Sequence, residues 1–261
     1  MMTLFVEERR RLILEQLKKD GRVSVKELSE TLDVSAVTIR QDLRALEEGG
    51  QLDRTYGGAV RREVNAAVPE LSFYVRLGKK RLQKEAIAAA AASMVRDGYT
   101  VALDGSTTVY AVAPLLKKFS KLTVVTNNLM VAQLFLESAH ITVLMPGGRL
   151  RRDSGSIVGR LDGLPDINLN IGFFGARGIA LVAGVSDVNL DECIIKQGMM
   201  ERCVETVILS DGSKWGQIAP YTFARFNQVH HFITTDDAPE EIVNAVRAEG
   251  ARVEIVRAGR R

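Results

Sequence analysis

The amino-acid sequence predicts two fold types in one chain: an N-terminal winged helix-turn-helix and, after it, a mostly parallel α/β domain. Three observations carry this. Residues 24–48 hold a pair of capped helical stretches, a basic glycine-centred hairpin follows at once, and short apolar strands alternate with helices from residue 100 onward. At 261 residues the chain is long enough for one small unit and one of ordinary size, each with its own core.

Residues 5–19 read as an opening helix, with Leu12, Ile13 and Leu17 among its apolar positions, ended by Asp20-Gly21. Ser24 and Glu27 form an S-x-x-E capping box, so a helix starts at Val25, and Val25, Leu28 and Leu32 recur at helical spacing on one buried face. Asp33-Val34 turns the chain. Ser35 then caps a second helix running to about Glu48, where Gly49-Gly50 supplies the stop. Ile39, Leu43 and Leu46 form its buried stripe, while Val37, Thr38, Arg40, Gln41 and Arg44 project from the other side. That side carries what a DNA major groove requires: arginine for guanine edges or phosphates, glutamine for adenine, threonine for either. The same charges are also ordinary content for a solvated helix face. The next segment favours the groove. Residues 51–56 and 59–62 flank Gly57-Gly58, a hairpin turn signal, and this wing sets Arg54, Arg61 and Arg62 to meet phosphates or a minor groove. Residues 1–62 carry 12 basic against 11 acidic residues, so the DNA reading rests on where the charges lie and not on their sum.

Residues 63–78 show no sustained period and contain Pro69; they are expected to connect the domains, with Leu71, Phe73, Tyr74 and Leu77 docking on a surface. The expected division is therefore 1–62 for the DNA-binding domain, 63–78 for the connection and 79–261 for an effector-binding domain. Residues 79–96 make a helix whose alanine run permits close approach to a neighbouring layer. Apolar strands are expected at 100–103, 122–126, 141–145, 171–174, 206–209, 229–234 and 252–256. Helices near 109–118, 129–138, 190–203 and 239–249 alternate with them, which argues a largely parallel sheet covered on both faces.

In such sheets ligands gather beyond the carboxyl ends of the strands. Those ends read Asp104-Gly105-Ser106-Thr107-Thr108, Thr126-Asn127-Asn128, Pro146-Gly147-Gly148-Arg149, Gly175-Ala176-Arg177-Gly178 and Asp211-Gly212-Ser213-Lys214. The first, a glycine followed by three hydroxyl residues at the mouth of a helix, offers N–H and O–H donors to an anion such as phosphate. Ser106 or Thr107 would also serve simply as a helix cap. Lys214 offers a point charge to the same anion.

Residues 23–60, VSVKELSETLDVSAVTIRQDLRALEEGGQLDRTYGGAV, resemble the N-terminal signature of the DeoR family of bacterial transcriptional regulators. The resemblance continues into the sensor domain. Asp104 to Thr108 is similar to that family's D-S-G-T-T loop with serine and glycine exchanged, Thr126-Asn127 to its T-N, Gly147-Gly148 to its G-G, and residues 211–216 to its D-S-S-K-F-G with Trp215 for the aromatic. It implies a sensor fold related to ribose-5-phosphate isomerases and coenzyme A transferases, a sugar phosphate as effector, and dimeric or tetrameric binding to operator DNA. Dimers would set paired wings about one helical turn apart or a multiple of it. One departure stands out: Gly175-Ala176-Arg177-Gly178 replaces the family's G-A-D-G, a cation for a carboxylate, which points to a more anionic effector, to solvent exposure or to pairing at a subunit interface.

Other classes are disfavoured. The composition, 46% hydrophobic and 26% charged, is that of a soluble globular protein, no apolar run reaches membrane-spanning length, and the N-terminus reads as no signal peptide, so a cytoplasmic protein is expected. Cys193 and Cys203, ten apart in what reads as one helix, suit reduced thiols, and neither has a histidine at metal-ligand spacing. No metal or cofactor is expected. An isomerase would need a carboxylate base; Asp104 and Asp211 stand at strand ends, each with a simpler role as a loop-stabilising acceptor or as a partner of effector hydroxyls, so binding without turnover is the expectation.

Overall fold

The computed structural model describes residues 6–48, 52–55, 57–61, 73–159 and 161–259. The chain divides into two compact units, Met1–Leu71 and Ser72–Arg261.

In the first unit helix α1 (Val6–Asp20) ends at Gly21, whose φ of +72° suits a residue without a Cβ. Strand β1 (Arg22–Ser24) leads into α2 (Val25–Thr31), where the Ser24 hydroxyl accepts from the Glu27 N–H at 3.1 Å. Asp33, at φ +52°, makes the turn, and α3 (Ala36–Glu48) follows with the Ser35 hydroxyl accepting from the Thr38 N–H at 3.1 Å. Ile13, Leu17, Leu28, Ile39, Leu43 and Leu52 close the core.

The wing differs from expectation in two ways. Strands β2 (Leu52–Thr55) and β3 (Gly58–Arg61) pair with Thr55 opposite Gly58, so Gly57 (φ +92°) is a turn residue and Gly58 belongs to the strand. Gly58 is needed for closeness: a Cβ there would sit 2.0 Å from the Val23 carbonyl oxygen, because β1 lies against β3 as a third strand. The expected stop at Gly49-Gly50 and the expected contact of Arg62 lie outside the described residues.

The second unit opens with α4 (Phe73–Gly78), in a stretch expected to be part of the connection; Phe73 is buried and packs edge-on to Tyr110 at 5.3 Å. Helix α5 (Arg81–Ser93) begins after Lys80, which holds φ +52°. Next come β4 (Thr100–Leu103), α6 (Thr107–Tyr110), α7 (Ala113–Leu116), β5 (Leu122–Thr126), α8 (Leu129–Gln133) and β6 (Ile141–Leu144). The single helix expected near 109–118 is two short ones, with Pro114 in the first turn of the second.

A hairpin, β7 (Arg149–Arg151) and β8 (Ser156–Val158), precedes β9 (Leu169–Gly175), β10 (Gly178–Ala180), β11 (Gly184–Asp187) and α9 (Leu190–Met200). The chain closes with β12 (Cys203–Leu209), β13 (Tyr221–Ala224), β14 (His231–Thr235), α10 (Glu240–Ala248) and β15 (Arg252–Val256). Cys203 thus starts a strand and does not share a helix with Cys193.

Seven strands form one sheet in the order β15-β14-β12-β9-β4-β5-β6, every neighbouring pair parallel. The period of two splits the strand side chains between two cores. Val101, Leu103, Val124, Phe173 and Leu209 share one core with α5, α6, α7 and α8, and Ala88, Ala91 and Ala92 of α5 allow close contact there. Ala102, Val125, Phe174, Ile208 and Phe232 face α9, α10 and a small antiparallel sheet of β10, β11 and β13. From β4 the chain first builds outward through β5 and β6, then returns to the other side of β4 and builds outward through β9, β12, β14 and β15. The direction therefore reverses between β4 and β9, and this is where an open α/β sheet leaves a crevice.

Candidate functional site

The face of α3 expected to meet the major groove is exposed. Val37 is 61% accessible, Ser35, Arg40, Gln41 and Arg44 are exposed, and Thr38 is half-buried with its hydroxyl 2.9 Å from that of Ser35. Arg54 lies in the wing, half-buried, its backbone N–H near Glu47 at 3.4 Å; Arg61 ends β3. A feature the sequence reading passed over holds this helix in place. Asp42, on the flank between the two faces, is buried and takes the Nε of Arg9 at 2.5 Å and of Arg10 at 3.1 Å, tying α3 to α1.

In the second unit the five loops singled out by sequence follow five consecutive strands of the sheet, β12, β9, β4, β5 and β6. At the reversal point Asp104 joins two of them. Its Oδ1 accepts from the Ser106 N–H at 2.9 Å and its Oδ2 from the Gly175 N–H at 2.8 Å. Ser106 caps α6 by accepting from the Val109 N–H at 3.3 Å. That leaves the N–H groups of Thr107 and Thr108 as first-turn donors without intrahelical partners. Because α6 is only four residues long, it has little macrodipole, and the anion-binding capacity of this loop rests on its individual donors.

Thr126 accepts from the Asn128 N–H, and Asn128 caps α8 by accepting from Met130 and Val131. Asn127 donates to the Ile157 carbonyl at 3.1 Å, while its Oδ1 is buried with no hydrogen bond among the described residues. Several glycines are explained by neighbouring chain. A Cβ on Gly105 would lie 2.2 Å from the Ser156 hydroxyl, one on Gly175 2.3 Å from that of Ser106, and one on Gly178 2.5 Å from the Gln217 carbonyl. Gly147 and Gly148 are exposed after β6, and Gly148, at φ +146°, lies against the Val158 carbonyl.

Beneath the β9 loop lies a buried charge group that sequence reading missed. The Lys196 ammonium contacts Asp187 Oδ2 at 2.5 Å, the Gly175 carbonyl at 2.7 Å and Asp104 Oδ2 at 3.1 Å. Burial alone would lower the lysine pKa, but Asp104 and Asp187 outweigh it and raise it. Burial likewise pushes Asp187 up, and the Lys196 charge overturns that, so its pKa lies below the ordinary value. The available signal was a lysine set among Cys193, Ile195, Met199 and Met200 in an apolar helix. Arg177, mostly buried, has its Nε 3.9 Å from Asp187 within the same chain.

Asp211 fixes the turn after β12, accepting from the N–H and hydroxyl of Ser213, and Lys80 lies 3.6 Å from it while pairing with Asp237 at 2.8 Å. Lys84 donates to the carbonyls of Arg76 and Lys79; burial chiefly, and then Arg76, Lys214 and Arg177, push its pKa down to about 8. Burial and the nearby cations lower that of Lys214 too. A cavity of about 530 Å³ opens at the opposite end of the sheet, beside Glu205, His230 and Arg252. The polar convergence at the strand ends defines the candidate site better than that open cleft.

A capped helix pair with an exposed polar face and a three-stranded wing, followed by a seven-stranded α/β unit with polar loops at its reversal point, defines a DNA-binding regulator with a sensor domain. The comparisons agree. The DeoR-like helix-turn-helix domain matches residues 9–64 and the DeoR C terminal sensor domain matches residues 79–236. The chain is 32% identical over 254 residues to the HTH-type transcriptional regulator GolR of Listeria innocua, covering 97% of this chain and 99% of that one. It is 32% identical over 248 residues to the glycerol-3-phosphate regulon repressor of Haemophilus influenzae, covering 94% and 95%. A ribose 5-phosphate isomerase from Methanocaldococcus jannaschii matches at TM-score 0.39 and 16% identity over 53% of this chain and 55% of its own, too slight a likeness to carry weight. This protein belongs to the DeoR family of transcriptional regulators. Among the described residues no helix is long and apolar enough to cross a membrane.

Proposed function

We propose that this regulator represses a sugar catabolism or transport operon by binding its operator through residues 1–62, as a dimer or tetramer, and that a phosphorylated sugar bound by residues 79–261 controls that binding. The observation that carries the reading is the row of polar loops beyond the strand ends on both sides of the point where the strand order reverses. The first-turn donors of Thr107 and Thr108 follow β4, the Asn127 oxygen, which has no hydrogen bond among the described residues, follows β5, and Arg177 and Lys214 follow β9 and β12, a set of donors, acceptor and cations suiting a phosphate ester with hydroxyls. One relative's name, glycerol-3-phosphate regulon repressor, is consistent with an effector of that kind.

Binding without turnover fits the carboxylates. Asp104 is engaged by two N–H groups and Lys196, and Asp211 by Ser213 and Lys80, so neither is poised as a free base toward a carbonyl-adjacent proton. Control follows from linkage: an effector that favours one arrangement of the sensor changes operator affinity by the same factor, typically about 1–3 kcal/mol.

The test is direct. DNA selected by the full-length protein from a random pool is titrated with it by fluorescence anisotropy, with and without a panel of phosphorylated and free sugars. At least one phosphorylated sugar should change the affinity by roughly 5- to 150-fold while its free sugar does not. If no phosphate ester alters DNA affinity or thermal stability, the reading fails. Measurable isomerisation of a pentose or hexose phosphate, lost on changing Asp104, would replace it with an enzyme.

A further inference from the structure

The cation cluster at the ends of β9 and β12 is larger than one phosphate at the β4 loop requires. Lys214 feels Arg177, Lys80 and Lys79, and Lys84 feels Lys214 and Arg177, while both share one nearby carboxylate, Asp211. That carboxylate is already bound to Ser213 and lies close to Lys80, whose shorter ion pair goes to Asp237. Arg177, whose Nε lies 3.9 Å from Asp187, stands on the strand end between the β4 loop and Lys214. Among the described residues the Lys214 ammonium makes no hydrogen bond or ion pair, although it is only half-exposed. Each of these lysines is held below its ordinary pKa by burial and by the neighbouring cations, and an anion bound beside the Lys214 ammonium would offset both.

Position adds to charge. The donor-rich loop follows β4 and Lys214 follows β12, two strands away with β9 and Arg177 between them. Adjacent strands are ~4.8 Å apart, so the two loops stand about 10 Å apart, roughly the reach of a five- or six-carbon chain.

Resting on the sugar-phosphate reading above, we propose that the effector is a phosphorylated sugar acid, its phosphate at the β4 loop and its carboxylate between Arg177 and Lys214. Arg177 offers a planar fork and Lys214 a point charge, a pairing that distinguishes a carboxylate from the aldehyde or hydroxyl of the parent sugar phosphate.

Matched pairs test this on the full-length protein by calorimetry: ribose 5-phosphate against 5-phosphoribonate, and glucose 6-phosphate against 6-phosphogluconate. In one pair or both, the acid should bind at least about 10-fold more tightly, the order of one charge-assisted hydrogen bond. Arg177→Gln and Lys214→Met, each checked for an intact thermal transition, should both bring that ratio toward one. Equal affinity within every pair that binds overturns the acid while leaving the sugar-phosphate reading standing. A preference that survives both substitutions overturns the assigned residues, and no binding by any member of either pair, nor by other phosphate esters in the panel, overturns the sugar-phosphate reading itself.

Discussion

Replacing Lys196 by methionine keeps the length and most of the volume of the side chain but removes the charge that Asp104, Asp187 and the Gly175 carbonyl surround. Lys196 and both carboxylates are less than 10% accessible, so water cannot take its place. Removing one partner from a buried ion pair typically costs about 3–5 kcal/mol, because the other charge is left behind without compensation. For a domain of this size each kcal/mol lowers the melting temperature by about 2–4 °C, so a fall of roughly 6–20 °C is expected. The pH dependence identifies the cause. In the native protein the Asp187 pKa is depressed, so its contribution is fully present above the ordinary carboxylate value and is lost only as pH falls from there through the depressed native value. In the variant burial is the largest influence left on Asp187, opposed by the Val188 N–H and by Arg177; its pKa rises from the native value, and where burial wins the folded state takes up a proton that the unfolded state does not. The deficit should therefore be largest near pH 8 and shrink toward pH 5. Adding Asp187→Asn to the variant should recover part of the loss. Circular dichroism melts across that pH range provide the assay. A deficit below about 1 kcal/mol, or one that does not change with pH, would refute a compensated buried charge group.

Arg40→Ala should weaken operator binding by about 1–3 kcal/mol in anisotropy titrations while leaving effector affinity intact, and Lys214→Ala should do the reverse; losses of both activities in both variants would contradict the division of labour. Gly58→Ala should destabilise the first unit by about 1–3 kcal/mol, since its Cβ would meet the Val23 carbonyl at 2.0 Å; an unchanged melt would mean that β1 is not held against β3. Gly175→Ala, which drives a Cβ to 2.3 Å from the Ser106 hydroxyl, should shift Ser106 and abolish the response of DNA binding to effector, whereas Gly147→Ala, with open space around it, should not perturb folding in a thermal melt. Effector affinity should fall as pH rises through about 8, where Lys84 loses its charge; a flat profile between pH 7 and 9 would exclude that cation from the field of the site.

What the sequence revealed is what local chemistry determines. Ser24 and Ser35 announce the two helices of the DNA-reading pair because each cap satisfies a backbone donor within three residues, and the stripe of Ile39, Leu43 and Leu46 needs only helical geometry to be read. The strands from β4 to β15 in the large sheet were visible as short apolar runs for the same reason. Strand β1 was not, since three residues carry too little alternation and its stability comes from pairing with a segment more than thirty residues away. The small sheet of β10, β11 and β13 was missed likewise; its strands are three or four residues long and are defined by each other.

The candidate site shows the same boundary more sharply. Gly105, Gly175 and Gly178 are small because neighbouring loops press on them, a fact no one-dimensional pattern contains. Asp104 reads from sequence as a loop acceptor or a partner of ligand hydroxyls, and in the fold it accepts from both the β4 and β9 loops and is held by Lys196 from a helix more than ninety residues later. A lysine on the buried face of an apolar helix is the one local sign of that arrangement. Burying its charge unpaired would be prohibitive, so the sequence obliges a carboxylate partner to exist somewhere in the fold. Only the sheet order, which sets β4 beside β9, reveals that the partner stands at the reversal point itself. The same lysine thus stabilises the unit and holds two of the loops from which the crevice is built.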